Sequence, residues 1–109
     1  MNGYLLRFYM HENQKHNGML LYEWLLERAR ASGIHGGSAF RAIAGFGRHG
    51  VLNEQHFFEL AGELTVVVEF LIPAAEADAL LDLVRIEGTP LFHARFPLEF
   101  GIVGGGANG

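Results

Sequence analysis

Glycines and basic side chains are interleaved in a short stretch near the middle of the chain. The residues concerned are Arg41, Gly45, Gly47, Arg48, His49 and Gly50. Glycine lets the backbone adopt a positive φ and approach a bound group closely, and guanidinium or imidazolium groups neutralise phosphate or carboxylate. The stretch is therefore a candidate anion-binding loop. The alternative is that the glycines only shape a bulged hairpin whose basic side chains lie in solvent.

Histidine is the other residue type that could carry chemistry, since the chain has six histidines and no cysteine. His11 and His16 flank one predicted loop, and His49 and His56 flank another. Neither spacing matches a compact zinc motif such as HExxH, and thiolate ligands are excluded. We therefore predict that the chain has no metal site.

Few residues could serve as a nucleophile or as a general base. The serines are Ser32 and Ser38, and neither lies in a nucleophile elbow. Glu69 lies in the middle of an apolar stretch, where a carboxylate could act as an acid or a base. It could equally pair with Arg41 or Arg95 across a sheet, and we favour this pairing. We do not expect a freestanding enzyme.

The elements that position these residues follow from the hydrophobic pattern. Alternating apolar residues predict strands, and apolar residues three and four positions apart predict helices. The predicted strands cover residues 3–10, 38–46, 64–72 and 91–100, and the predicted helices cover residues 19–32 and 73–86. The order βαββαβ predicts an α+β fold, a ferredoxin-like sandwich with an antiparallel sheet and two helices on one face. Residues 1–100 form this domain, and residues 101–109 are a glycine-rich tail that we expect to be flexible.

One face of the predicted sheet lacks a cover within the chain. Val66, Val68 and Phe70 lie on one side of the third strand, and Val67 and Leu71 lie on the other. Because two helices cover only one face, we expect another subunit to bury the second apolar face.

Composition narrows the function classes. The 109 residues carry a formal charge of −4, and the eight basic residues form no basic run, which disfavours nucleic-acid binding. No stretch is long and apolar enough for a membrane span, and the N-terminal segment contains Arg7 and lacks the features of a signal peptide. The absence of cysteine fits a reducing compartment, so we predict a cytoplasmic protein.

The stretch GMLLYEWLLERARASGIHGGSAFRAIAGFGRHGVLNE resembles the PII-like family catalogued as domain of unknown function 190. The most specific part is an arginine followed by glycine-phenylalanine-glycine and histidine-glycine. In this chain the motif comprises Arg41, Gly45, Phe46, Gly47, His49 and Gly50, and it is preceded by the helix start at 21–23. With Arg48 added, these residues are the predicted ligand-binding site.

The resemblance implies a subunit related to the PII signalling proteins, which are trimers that bind small effectors, often nucleotides, in clefts between subunits. On this basis the chain is expected to be a homotrimeric regulator of a membrane transporter or an enzyme. It would bind a small anionic effector, and an adenine nucleotide is the first candidate for this effector. No cofactor is assigned. The alternatives are a small oligomeric α+β-barrel enzyme, with Glu69 or a histidine as base, and a metal-tolerance protein like CutA.

Overall fold

The computed structural model describes residues 1–46 and 64–105. In chain order the elements of these residues are β1 (Asn2–His11), β2 (Lys15–His16), β3 (Met19–Leu20), α1 (Leu21–Ala31), β4 (Ser38–Arg41), β5 (Thr65–Ile72), α2 (Ala74–Glu87) and β6 (Phe92–Glu99). Within the described residues, four strands form one antiparallel sheet in the order β4-β5-β1-β6. The predicted α+β fold with an antiparallel sheet and two helices is confirmed, and the strand order is consistent with a ferredoxin-like sandwich.

The hydrophobic core lies between the helices and one face of the sheet. The even-numbered residues of β1 and β5 face the helices, and the helix residues that meet them recur every three or four positions. The core contains Leu6, Phe8, Met10, Leu21, Trp24, Leu25, Ala29, Ile34, Val66, Val68, Phe70, Ile72, Ala77, Leu80 and Val84. Phe8 and Phe70 pack edge to face on neighbouring strands, with ring centroids 6.3 Å apart. Burying each large side chain contributes about 1.5–3 kcal/mol, so this layer holds the two helices on the sheet.

Glycines end both helices, as their positions in the sequence predict. Gly33 follows the last turn of α1 at φ +100°, and Gly88 ends α2 at φ +76°. A residue with a Cβ is strained at such angles, which is why glycine is favoured where a helix ends. Pro73 precedes α2, and its carbonyl accepts the N–H of Ala77 at 3.0 Å.

The strand predicted over residues 38–46 is too long, because β4 ends at Arg41. Its partner β5 begins at Thr65, and the N–H of Ala42 donates to the Thr65 carbonyl at 2.8 Å. In this register the residues after Ala42 have no partner in β5, so the ladder stops there.

A small hairpin stands where the sequence predicted only a polar loop. Strands β2 and β3 pair across Asn17 and Gly18, both of which have positive φ. Asn-Gly is the preferred central pair of a two-residue type I′ turn, and this signal in the sequence was overlooked.

No helix in residues 1–46 or 64–105 is both long enough and apolar enough to cross a membrane. Residues 101–105 contain no helix or strand and are exposed. The predicted flexible tail also includes residues 106–109, which lie outside the described residues.

Candidate functional site

Arg41, the first residue of the predicted site, lies at the end of the sheet where three elements meet. Glu12 follows β1 and Leu64 precedes β5 at this end. The Nε atom of Arg41 lies 3.1 Å from Oε1 of Glu12. The backbone N–H of Leu64 donates to Oε2 of Glu12 at 3.1 Å, and the N–H of Glu12 donates to the Leu64 carbonyl at 2.9 Å. One carboxylate therefore joins the end of β4 to the start of β5.

The two members of this ion pair differ strongly in exposure. The Arg41 side chain is 65% exposed, whereas the Glu12 side chain is 13% exposed. Water screens the Arg41 side of this pair, whereas the Glu12 carboxylate is largely shielded from solvent. The guanidinium of Arg41 is therefore accessible to an anion from solvent, while Glu12 holds it at the sheet end.

The remaining predicted site residues lie in the segment that follows β4. Gly45 is half-buried, and Phe46 is 73% exposed. Gly47, Arg48, His49 and Gly50 lie outside the described residues, so their part in the site stays a prediction. The structure places Arg41 at the start of the segment that carries them.

Glu69 does not pair with Arg41 or Arg95, and the predicted pairing is wrong. Its partner is Arg7, whose Nε donates to Oε2 of Glu69 at 2.7 Å. Arg7 and Glu69 are directly opposite in the register of β1 and β5. Arg41 is opposite Val66 and therefore lies on the helix-covered face, as Arg95 does opposite Leu6. A side chain on the other face of the sheet cannot meet Glu69.

The two arginines that were expected near Glu69 have other partners. Arg41 pairs with Glu12, and Arg95 pairs with Asp78 of α2 at 3.0 Å. The guanidinium of Arg95 also lies 4.1 Å from the ring centroid of Tyr4. The alternation of β1 puts Leu5, Arg7 and Tyr9 on one side, and in the sequence this alternation is the signal for a contact between Arg7 and a residue on the same face of a neighbouring strand.

The sheet face opposite the helices, called the open face below, is largely apolar. It carries Leu5, Arg7, Tyr9, Ser38, Phe40, Val67, Glu69, Leu71, Phe92, Ala94, Phe96 and Leu98. Phe40, Leu71, Phe92 and Phe96 are 55%, 54%, 48% and 42% exposed, respectively. No helix of the described residues covers this face, as the sequence predicted. Exposed apolar patches of this kind are frequent at protein–protein interfaces.

The Arg7–Glu69 pair lies in the middle of the open face. Arg7 Nη2 is 2.6 Å from Glu69 Oε2, and Arg7 Nη1 donates to the Tyr9 hydroxyl at 3.5 Å. The hydrogen bond to Tyr9 raises the pKa of Arg7, and Glu69 raises it further, while burial acts in the opposite direction. The guanidinium also lies 5.4 Å from the ring centroid of Phe96. Arg7 is therefore held by polar and aromatic partners at once.

His16 links the hairpin to the end of α2. Its Nε2 lies 2.9 Å from Oε1 of Glu87, and its Nδ1 lies 2.9 Å from Oγ1 of Thr89. The imidazole packs edge-on against Trp24, with ring centroids 4.5 Å apart. Both ring nitrogens of His16 thus have protein partners.

Residues 1–46 and 64–105 contain no group of three or more histidine, aspartate and glutamate side chains arranged to hold a metal ion. His49 and His56 lie outside these ranges, and the absence of a metal site stays a prediction.

A cleft of about 580 Å³ lies between α1 and the residues that precede β4. Glu23, Glu27, Arg30 and His35 contribute the ionisable groups of its lining. Arg30 already pairs with Glu27, its Nη2 lying 3.1 Å from Oε1. Two carboxylates line this cleft, against the single carboxylate beside Arg41, so the cleft is the poorer anion site.

Comparison with known proteins places the chain in a family. Residues 3–89 match a family model described as DUF190, Uncharacterized ACR, COG1993. The chain belongs to the DUF190 family. The DUF190 match begins in β1 and ends just after Gly88, so it includes Arg41, the segment 45–50 and both helices.

Two curated relatives agree with the DUF190 assignment. A UPF0166 protein of Aquifex aeolicus is 40% identical over 67 residues, which are 62% of this chain and 64% of that protein. The UPF0166 protein MJ1524 of Methanocaldococcus jannaschii is 32% identical over 65 residues, which are 60% of this chain and 59% of that protein. The chain thus spans about three fifths of the length of these curated relatives.

Proposed function

We propose that this DUF190 chain is a cytoplasmic, PII-like regulatory subunit that forms a homotrimer and binds a small anionic effector in clefts between subunits. An adenine nucleotide is the first effector to test. The regulated target would be a membrane transporter or an enzyme, whose activity would follow the effector-bound state of the subunit.

The observation that carries the proposal is the placement of Arg41. Its guanidinium is exposed at the end of the sheet, and the segment with the glycine and basic residues of the family resemblance starts beside it. A planar guanidinium can bind phosphate or carboxylate oxygens through two parallel hydrogen bonds. Glu12 holds Arg41 from a half-buried position, so the cation does not have to be ordered from a fully mobile state when a ligand binds.

The open face supports the subunit assembly that the proposal requires. Its apolar side chains lie on all four strands of the sheet, and a second copy of the chain would remove them from water. The two helices already lie on the opposite face, where they bury the core. A site at the end of the sheet would then lie near the border between neighbouring copies.

The alternatives receive less support from the described residues. A base in an α+β-barrel enzyme must be able to take a proton, and Glu69 is held by the guanidinium of Arg7. In a metal-tolerance protein, His16 would need a ring nitrogen for the metal, and both of its nitrogens contact Glu87 or Thr89.

The experiment that tests the proposal is titration calorimetry of the untagged protein with AMP, ADP, ATP and inorganic pyrophosphate. A nucleotide that binds with micromolar affinity, while pyrophosphate binds more weakly, is the expected result. If none of the four anions binds under conditions where the protein is folded, the effector proposal fails for adenine nucleotides. Turnover of ATP to ADP during the titration would instead favour an enzyme.

A further inference from the structure

The open face carries one feature that an ordinary apolar interface would not need, a cation and an anion at its centre. Arg7 and Glu69 lie directly opposite on the two middle strands, β1 and β5. Arg7 approaches a single carboxylate oxygen of Glu69 with two of its nitrogens, at 2.7 and 2.6 Å. The side chains are 30% and 26% exposed, so the pair still contacts water in the single subunit.

Mostly apolar residues surround this pair on the open face. Along the strands, the neighbouring cross-strand pairs are Leu5 with Leu71 and Tyr9 with Val67. On the outer strands, Ala94 lies opposite Arg7, and Ser38 lies opposite Glu69. A partner that covers the apolar residues must therefore also cover the ion pair.

Covering the pair has a consequence for the choice of partner. A charge that loses water is destabilising unless other polar groups take the place of that water. A purely apolar partner would bury the second oxygen of Glu69 and the outer N–H groups of Arg7 without offering hydrogen bonds. A second copy of the chain brings the same cation and the same anion, and symmetry makes each contact recur in every copy.

From these contacts we infer that the Arg7–Glu69 pair is the specificity determinant of self-association through the open face. It selects a second copy of this chain over other apolar surfaces and sets the register in which the copies meet. This inference rests on the assembly described under the proposed function. In the assembled protein, Arg7 of one copy lies within reach of Glu69 of the next copy, and each pair is shared across the interface.

The test uses neutral and charge-reversed variants of both residues. Arg7→Met and Glu69→Met each leave one charge without its partner, and each should weaken assembly roughly tenfold or more. The double variant Arg7→Met with Glu69→Met should assemble again, but with a broader distribution of masses, because the groups that set the register are gone. Light scattering over a dilution series measures the assembly, and circular dichroism checks that each variant is folded.

Mixing charge-reversed chains tests the contact between copies directly. The Arg7→Glu variant has two anions where the pair stood, and the Glu69→Arg variant has two cations there. Like charges then meet at every interface, so each variant should fail to assemble alone. In a mixed trimer two of the three interfaces join unlike chains and one joins like chains, so an equimolar mixture should assemble better than either chain alone, and the assemblies that native mass spectrometry detects should contain both chains. The matched control is another arginine–glutamate pair, Glu27 with Arg30, which is joined at 3.1 Å and lies exposed on α1. Its charge reversals, Glu27→Arg and Arg30→Glu, should leave assembly unchanged.

The outcomes separate the inference from the assembly on which it rests. If the unchanged protein is monomeric, the proposed assembly is wrong and the inference is overturned with it. If the unchanged protein assembles and the single Arg7 and Glu69 variants assemble equally well, only the inference is overturned. If the mixture of charge-reversed chains gives no mixed assemblies, the pair does not reach across copies, and the inference is likewise overturned.

Discussion

At the scale of single residues, accessibility distinguishes the arginines of this chain. Arg41 is 65% exposed beside a half-buried carboxylate, whereas Arg7 is held by Glu69, Tyr9 and the ring of Phe96. An exposed guanidinium can bind a ligand anion on its solvent side while its carboxylate partner keeps it in place. Arg41 is thus suited to ligand binding, and Arg7 is suited to a fixed structural contact.

Arg41→Glu should weaken binding of whichever adenine nucleotide proves to bind, because a charge-assisted contact becomes a repulsion. We expect a loss of roughly tenfold or more, equivalent to about 1.4 kcal/mol, in titration calorimetry. Arg85→Glu is the matched control, since Arg85 is similarly exposed, at 72%, and pairs with Asp82 on α2. Equal affinities of the Arg41 variant and the unchanged protein would move the site away from the sheet end.

Gly37→Ala should destabilise the fold, because the added Cβ would lie 2.5 Å from Cε1 of Phe70 and 3.1 Å from Cδ2 of Leu26. The Phe70 ring is buried in the core and cannot move aside freely, so we expect a loss of about 1–3 kcal/mol in the free energy of unfolding. Gly36→Ala is the control, since a Cβ there meets nothing within 4 Å. Urea unfolding measures both. Equal stabilities of the two variants would contradict the described packing of Gly37.

At the scale of elements, periodicity predicts the long strands and the helices but not how they pair. The alternation of β1 and β5 identified which residues share a face, and the helix ends at Gly33 and Gly88 followed from residue type. The partner of Glu69 depended on the register between two strands, which periodicity within each strand does not define. The length of β4 likewise depended on where β5 begins.

The contacts of His16 hold the hairpin against the C-terminal end of α2. His16→Ala removes the ring from Trp24 and leaves Glu87 and Thr89 without this partner. We expect the free energy of unfolding to fall by about 1–3 kcal/mol in urea. His35→Ala, at an exposed position, should change it by less than about 0.5 kcal/mol.

A double-mutant cycle checks the contact itself. Glu87→Ala combined with His16→Ala should cost less than the sum of the two single changes, because the contact is lost only once. Additive costs would show that the two side chains do not interact in solution.

At the scale of the whole molecule, the sheet has one face covered by helices and one open face with exposed aromatic residues. This division was predictable from the sequence, because the apolar residues of the third predicted strand fall on both sides. Sequence similarity adds the DUF190 family but no ligand, and the Gly47–Gly50 part of the predicted site lies outside the described residues. The proposed function therefore requires Arg41 at the sheet end and the assembly of subunits through the open face.

Native mass spectrometry of the untagged protein, at micromolar concentration with and without ATP or ADP, tests both parts of this account in one measurement. Because the effector is proposed to bind between subunits, nucleotide should be retained by the assembled species and not by the single chain. We predict a homotrimer that gains the mass of bound nucleotide. A monomer at this concentration, or an assembly that retains neither nucleotide, would contradict the account.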